Sequence, residues 1–231
     1  MPKNICIIPA RGGSKRIPRK NIKEFLGKPI IAYSIEAALN SGLFEEVMVS
    51  TEDKEIAEIA KKHGARVPFL RSSKNADDYA TTIDVLKEVV QQYEENGKIF
   101  NNICCIYPTA PFTTEKLLKE AFQQLEEENR DAVFPVIPFS YPIQRALKIQ
   151  NRKVSFFYPQ FENTRSQDLE KSFHDAGQFY FFKKAEFLKN NTIFTKNTGG
   201  VVISDLEAQD IDNISDWKIA EIKYELLQNS K

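Results

Sequence analysis

The sequence contains no long apolar run, and its charges are balanced. No stretch approaches the ~20 consecutive apolar residues of a transmembrane helix. The first residues show no apolar core followed by a small-residue cleavage site, so we expect neither export nor a membrane anchor. The 32 basic and 32 acidic residues cancel, which argues against a general attraction to nucleic acid or to an anionic membrane.

Cysteine is also scarce. The three cysteines have no spacing typical of a metal site, and their number is odd. Cys6, Cys104 and Cys105 all lie within apolar, strand-like runs. We therefore expect buried, reduced thiols, which are typical of the cytoplasm.

Hydrophobic periodicity predicts alternating strands and helices. Short apolar runs predict strands at 4–8, 47–49, 66–70, 103–106 and 132–136. Between them, apolar residues recur at helical spacing within 29–40, 56–60, 83–93 and 117–125. This alternation predicts a mostly parallel sheet with helices on both faces, which is a three-layer αβα, Rossmann-like fold. Further strands are predicted at 178–182 and 201–203, and a closing helix from Trp217 to Leu227.

The pattern breaks at residues 139–176, which are rich in aromatic residues and poor in periodic signals. We predict that this segment is an insertion in a single domain of residues 1–231, an arm that packs against a second subunit. The alternative is a long surface loop, but a structureless loop of this length is uncommon inside a compact domain.

A basic loop follows the first predicted strand. Gly12 and Gly13 are adjacent, and five cations lie close to them in sequence: Arg11, Lys15, Arg16, Arg19 and Lys20. Glycine allows backbone N–H groups to approach an anion, and the cations add charge, so the loop is predicted to hold a polyphosphate. The spacing matches neither G-x-x-x-x-G-K-[ST] nor G-x-G-x-x-G. A basic loop that merely faces solvent is the alternative.

The run I-P-A-R-G-G-S-K-R-I-P-R-K-N, residues 8–21, resembles the N-terminal signature of the cytidylyltransferases that activate acidic nine-carbon sugars, the CMP-sialic acid synthetase family. The likeness extends over nearly the whole chain and implies a fold like that of nucleotide-diphospho-sugar transferases. It also implies that the loop grips the triphosphate of CTP, with catalytic roles for Arg11 and Lys15. The implied nucleotide-binding positions in the loop are Ala10, Arg11, Gly13, Ser14, Lys15 and Asn21.

A second segment, L-R-S-S-K-N-A-D-D-Y-A-T-T, contains Arg71, Ala80 and Thr82. From the residues alone it is a loop that leads into a helix, where Asp77 and Asp78 are favourable near the helix start. The family carries an arginine followed by D-x-A-[ST] at this spacing, and the resemblance implies that the segment cradles cytosine.

Asp210 and Asp212 form a D-x-D pair near the end of the chain. Alternate residues of an extended segment point to the same side, so both carboxylates can share one hard cation. An exposed pair without a ligand is the commoner meaning of such a motif. The resemblance favours a Mg²⁺ site, with Asp212 counted among the catalytic residues.

The predicted acceptor site lies later in the chain. The turn Y-P-T-A-P-F begins at Tyr107 and is either only a rigid turn or a border of the sugar site. Relatives often carry glutamine at the position of Tyr107, and the sialic acid enzymes carry Asn-Gly where this chain has Ala176-Gly177. The segments Y-P-I-Q-R-A-L and D-A-G-Q-F-Y instead resemble the branch of the family that acts on pseudaminic acid. The implied substrate-binding residues are Tyr107, Gln144, Arg145, Arg165, His174, Asp175, Gln178 and Tyr180.

Arg165 is predicted to pair with the sugar carboxylate, because a guanidinium matches a carboxylate in a bidentate geometry. Its alternative role is to neutralise Asp168 or Glu162. Altogether we expect a cytoplasmic, homodimeric, Mg²⁺-dependent enzyme that joins CTP to pseudaminic acid, with no nucleic-acid or membrane partner. N-acetylneuraminic, legionaminic or keto-deoxyoctulosonic acid are alternative acceptors, and a CTP sensor without turnover is the alternative outside enzymes.

Overall fold

The computed structural model describes residues 3–77 and 79–229. Asp78, predicted to favour the start of a helix, lies outside these residues. The described elements alternate between strands and helices through the first half of the chain, and the second half adds a hairpin and three more strands. In chain order they are β1 (Asn4–Pro9), β2 (Glu24–Phe25), β3 (Lys28–Pro29), α1 (Ile30–Ser41), β4 (Glu46–Ser50), α2 (Lys54–Lys62), α3 (Thr82–Glu95), β5 (Asn102–Ile106), α4 (Glu115–Glu127), β6 (Ala132–Pro138), β7 (Leu147–Gln150), β8 (Lys153–Phe156), β9 (Phe173–Asp175), β10 (Phe179–Lys183), α5 (Lys184–Asn190), β11 (Thr198–Val202) and α6 (Ile214–Asn229).

In the described part of the chain, the main sheet has seven strands in the order β11-β6-β10-β5-β1-β4, with β9 added to β6. Strands β4, β1 and β5 are parallel, and so are β6 and β11. The exception in this row is β10, which runs antiparallel to both β5 and β6. The prediction of a mostly parallel sheet is therefore confirmed.

Two apolar layers cover the sheet. One contains side chains of α1, α2 and α4, such as Ile31, Ile56 and Leu118, packed against Cys6 and Ile8. The other is built by α3 and α5 against the opposite face. Because successive side chains of a strand point to opposite faces, the all-apolar run Ile5–Ile8 contributes side chains to both layers. The predicted αβα fold is confirmed.

Helix limits follow local signals. Asp53 caps α2 by accepting from the Ile56 amide at 3.0 Å, and Thr81 with Asp84 forms a capping box at the start of α3. Gly42 ends α1 in the left-handed region at φ 67°. No helix in the described ranges is long and apolar enough to cross a membrane.

The prediction of a third strand at 66–70 is wrong. This segment forms only one isolated bridge, between Arg66 and Met48. Pro68 cannot donate to a ladder, and the bridge at Arg66 is not extended into a strand. Up to and including β6, the chain therefore contributes four strands to the main sheet rather than the predicted five.

Residues 139–172 leave the main sheet and form the β7–β8 hairpin and short helical turns. The chain returns through β9, which pairs with β6 at Ile137 and His174. The three cysteines are buried free thiols, as expected.

Candidate active site

A cavity of about 340 Å³ opens at the carboxyl ends of β1 and β5, where a parallel sheet usually binds its ligand. Its walls come mainly from three predicted segments, the basic loop, the Arg71–Thr82 loop and the turn that begins at Tyr107, and Asp212 of the carboxylate pair also lines it. The lining residues are Pro9, Arg11, Ser14, Lys15, Arg16, Ile17, Lys20, Asn21, Arg71, Asn75, Asp77, Ala80, Thr82, Val85, Tyr107, Pro108, Thr109 and Asp212.

The basic loop is shaped mainly by the protein's own hydrogen bonds. The buried Asn21 donates from Nδ2 to the carbonyl of Arg11 at 2.8 Å and so joins the two ends of the loop. The Gly12 amide donates to Glu52 at 2.7 Å, and the Ser14 amide donates to the Gly12 carbonyl at 3.0 Å. These two amides are therefore already bonded within the protein, and cationic side chains of the same loop line the cavity.

Four of the five predicted loop cations line the cavity: Arg11, Lys15, Arg16 and Lys20. Arg19 instead forms ion pairs with Asp53 and Glu55, both at 2.5 Å. This hydrogen-bonded pairing lowers the pKa of Asp53 from 3.8 to about 2. Arg19 therefore anchors the loop to the start of α2 rather than adding to the positive wall.

Arg71 forms the opposite wall. It is only 8% exposed, and its guanidinium donates from Nη2 to the Ser50 carbonyl at 2.5 Å and from Nε to the Ser50 hydroxyl at 3.1 Å. Burial lowers the pKa of Arg71, and the nearby Glu52 carboxylate opposes that effect. Ala80 and Thr82 line the same wall, so the three residues predicted to cradle a base do meet in one place.

The carboxylate pair lies beside the loop. Asp212 lines the cavity and pairs with Arg16 at 2.7 Å, while Lys20 donates to the carbonyl of Ile211 at 2.6 Å. Asp210 is exposed at the protein surface. Partial burial of its carboxyl raises the pKa of Asp210, and the charge of Asp212 raises it further. Two carboxylates that repel each other at the edge of an anion pocket suit a hard cation shared with phosphate oxygens. No cluster of three or more possible metal-ligating side chains was found in residues 3–77 and 79–229.

A pair of tyrosines, Tyr107 and Tyr180, lies at the border of the cavity. Tyr107 lines the cavity, and its ring packs edge-on against that of Tyr180, with 5.6 Å between the ring centroids. Tyr180 is buried, and its hydroxyl donates to Asp175 Oδ2 at 2.6 Å. Burial is the main reason why the pKa of both tyrosines is raised, and both hydroxyls therefore keep their protons near neutral pH. The tyrosine pair therefore connects the cavity to Asp175 at the end of β9.

The other residues predicted for the acceptor do not line the cavity, and several already have partners. Arg165 pairs with Asp168 at 2.7 Å, which is the alternative that the sequence left open. Gln178 is buried and donates to the Glu207 carbonyl at 2.6 Å. Gln144 donates to the Glu170 carbonyl at 2.9 Å, Arg145 contacts Ser166, and His174 Nδ1 lies 2.9 Å from the Asp175 carbonyl. Ala10 and Gly13 flank the lining residues of the loop without lining the cavity themselves.

Sequence reasoning did not assign Asn75, Val85, Pro108 and Thr109 to the site, although all four line the cavity. Their positions in the sequence, close to Arg71 or to Tyr107, are the signal that could have identified them. Glu52 was missed as well. It stands directly after a predicted strand, which is where site residues of a parallel sheet collect.

The parallel sheet and the cationic cavity at its carboxyl edge define an α/β protein of the nucleotidyltransferase class. A family model described as cytidylyltransferase matches residues 5–217. The chain belongs to the cytidylyltransferase family.

Curated relatives match nearly the full length, among them the following two. A pseudaminic acid cytidylyltransferase of Campylobacter jejuni is 44% identical over 229 residues, which cover 99% of this chain and 99% of the relative. A CMP-N,N'-diacetyllegionaminic acid synthase of the same species is 34% identical over 223 residues, or 96% of this chain and 94% of the relative.

Solved structures agree on the fold. A CMP:2-keto-3-deoxy-manno-octonic acid synthetase, complexed with CTP, superposes with a TM-score of 0.71 over 98% of this chain and 99% of that chain. The sequence identity is 16%, so this likeness concerns the fold alone.

Proposed function

We propose that the chain transfers CMP from CTP to pseudaminic acid and releases pyrophosphate. The observation that carries the proposal is the cavity, in which four loop cations face the buried Arg71 at the carboxyl edge of the sheet. The 44% identity to a pseudaminic acid cytidylyltransferase over the full length supports the choice of acceptor.

The chemistry is an in-line displacement. The anomeric hydroxyl of the sugar attacks the α-phosphorus, a new P–O bond forms as the hydroxyl proton leaves, and the bond to the bridging oxygen breaks to release pyrophosphate. Such a reaction needs no covalent intermediate with the protein, which has to align the nucleophile with the leaving group and stabilise charge.

The loop cations fit the second task. Arg11 and Lys15 lie in the wall where the triphosphate would bind, and their charges offset those of the phosphate oxygens. Removing one such positioned charge is expected to cost ~10²–10³ in rate. Arg71, Ala80 and Thr82 would hold the cytosine, whose O2 and N3 acceptors and N4 donor offer an edge that an arginine and backbone groups can read.

We also propose a Mg²⁺ requirement. Asp210 and Asp212 would hold the ion, because a pair of carboxylates completed by phosphate oxygens is a typical Mg²⁺ environment. When bound, the ion would supply Lewis-acid polarisation of the phosphate and a template for the leaving group. The residues' own contribution is to keep two carboxylates next to the cavity, with Lys20 bonded between them at Ile211.

A homodimer in the cytoplasm completes the proposal. Ile149 and Val154 are paired across the β7–β8 hairpin and so share one face, yet they are 73% and 60% exposed. Leu147, on the same face, is 53% exposed. An isolated two-stranded hairpin is only marginally stable in water, so a second copy covering this face would stabilise it. The buried free thiols suit a reducing compartment.

The decisive experiment measures CTP-dependent pyrophosphate release with a panel of nine- and eight-carbon ulosonic acids. We expect release with pseudaminic acid and little with N-acetylneuraminic or keto-deoxyoctulosonic acid. The 34% identical legionaminic acid relative makes legionaminic acid the main competitor in this panel. Release with legionaminic acid alone would change the acceptor, and CTP binding without release for any acid would favour a sensor.

A further inference from the structure

Glu52 lies behind the basic loop and outside the cavity lining, and no role in the reaction follows from the site described above. It comes two residues after the end of β4, between the two walls of the nucleotide site. One carboxylate oxygen, Oε1, accepts the Gly12 amide at 2.7 Å. The other, Oε2, is buried and has no hydrogen-bond partner in the described part of the chain.

The turn that carries Glu52 presses closely on the loop. A Cβ atom placed on Gly12 would lie 2.6 Å from Asp53 Oδ2, which is closer than real Cβ contacts come. Gly12 is therefore needed for close approach to this turn and not only for flexibility. The Arg19 ion pairs with Asp53 and Glu55 hold the far end of the loop to the same turn. The acidic segment 52–55 therefore contacts the loop at two points, Gly12 and Arg19.

Glu52 also interacts electrostatically with Arg71 on the opposite wall of the site. Its negative charge favours the charged form of the buried Arg71 guanidinium and so opposes the effect of burial on the Arg71 pKa. Arg71 itself is fixed to Ser50, two residues before Glu52. A single carboxylate therefore touches the phosphate loop at Gly12 and balances the charge of the residue expected at the base.

We propose that Glu52 is a positioning residue of the nucleotide site, which holds the phosphate loop at a fixed distance from Arg71. This inference rests on the proposed function, because it assigns the loop to the phosphates and Arg71 to the base of one nucleotide. Glu52 has no direct contact with the nucleotide. It acts through Gly12 and Arg71, and its loss would leave the loop free to shift relative to the base site.

The test compares three variants of the full-length protein by calorimetric titration with CTP and by steady-state kinetics. Glu52→Ala removes both the hydrogen bond and the charge, and we expect the Kd for CTP to rise about tenfold, since hydrogen bonds to charged groups are among the stronger ones. The KM for the acceptor should stay within about twofold, because the acceptor does not depend on the loop position. Glu58→Ala removes an exposed carboxylate from α2, the helix that follows Glu52, and should leave both values unchanged.

Glu52→Gln tests the mechanism. The amide oxygen can still accept from Gly12, so this variant should recover most of the CTP affinity, with a Kd only about threefold above wild type. A Glu52→Gln variant as weak as Glu52→Ala would contradict the role of the Gly12 bond. An unchanged Kd in Glu52→Ala, or equal losses for CTP and acceptor, would overturn the inference. Failure of the wild-type protein to bind CTP would instead overturn the proposed function.

Discussion

Arg16 and Asp212 are 196 residues apart in the chain and form an ion pair at 2.7 Å beside the nucleotide cavity. Both side chains are well exposed, at 68% and 43%, so the pair contributes little to the free energy of unfolding. Its importance is local, because the guanidinium occupies one oxygen of a carboxylate that we propose as a Mg²⁺ ligand.

Arg16→Ala should therefore lower the Mg²⁺ concentration that gives half-maximal activity, by about twofold to fivefold, because an exposed ion pair of ~1 kcal/mol or less no longer competes with the cation. The measurement is a Mg²⁺ titration of pyrophosphate release, supported by direct Mn²⁺ binding without substrates. Arg130→Ala is the matched control, since it removes an exposed pair with Glu128 next to the amino end of β6. A higher Mg²⁺ requirement in Arg16→Ala would contradict the competition.

Asp212→Ala should abolish Mg²⁺-dependent turnover while the fold stays intact, because the remaining Asp210 cannot hold the ion alone. Turnover is measured by pyrophosphate release and the fold by circular dichroism. Asp205→Ala serves as a control, because it removes a 78% exposed carboxylate that pairs with Lys223. Activity close to wild type in Asp212→Ala would remove the metal assignment.

Arg71→Ala should raise the KM for CTP by at least about tenfold and the KM for the acceptor much less, because the guanidinium lies at the proposed base wall. Arg71→Lys keeps the charge but loses the planar donor fork, so it should recover only part of the loss. Steady-state kinetics with each substrate varied in turn gives both constants. Equal rises in both would argue against base recognition.

The acid sensitivity of the fold should depend on Asp53. The Arg19 hydrogen bond lowers the pKa of Asp53 from 3.8 to about 2. A lowered folded-state pKa stabilises the protein above the unfolded value, and this contribution is lost as the pH falls through the folded value. We expect a loss of about 1–2 kcal/mol between pH ~5 and ~2, allowing for solvent screening of the partly exposed Arg19.

Asp53→Asn is the matched variant, because asparagine also caps helices well. Its free energy of unfolding should lack this portion of the pH dependence in urea titrations at several pH values. Parallel curves for wild type and Asp53→Asn would show that the Arg19–Asp53 pair does not contribute.

Sedimentation should detect a homodimer at micromolar concentration that Ile149→Glu converts to a monomer. The substitution places a charge on the apolar face shared with Val154. Gln150→Glu adds the same charge to the opposite face of β7 and should leave the dimer intact. A wild-type monomer at this concentration would remove the proposed role of the arm.

The central architecture could be predicted from the sequence because its signals are local. The apolar runs that became β1, β4, β5 and β6 are bounded by charged or turn residues, and the helices between them carry caps such as Asp53. The 66–70 segment misled for a local reason too. Its apolar composition fits a strand, but Pro68 cannot donate a hydrogen bond to a neighbouring strand. The segment makes a single bridge, at Arg66, because strand formation also depends on pairing partners that the sequence does not reveal.

More of the residues predicted to bind the nucleotide line the cavity than of those predicted to bind the acceptor. Arg11, Lys15, Arg71 and Thr82 lie close to strand ends, and strand ends of a parallel sheet meet at one edge. Three of the predicted acceptor residues, Gln144, Arg145 and Arg165, come from the segment that leaves the sheet, where no periodicity fixes their direction. Arg19 illustrates another limit, since its charge matched the loop pattern but its side chain pairs with Asp53.

The central position of β10 has a consequence for the order in which the chain can fold during synthesis. β5 needs β10 as its neighbour, and β6 joins the sheet only through β10. Until residue 183 has been made, the hydrogen-bonding edge of β5 stays open although more than half of the chain has left the ribosome. Residues 139–172 are therefore synthesised before β10 can pair with β5. Any variant that slows the synthesis of this segment prolongs the exposure of the β5 edge.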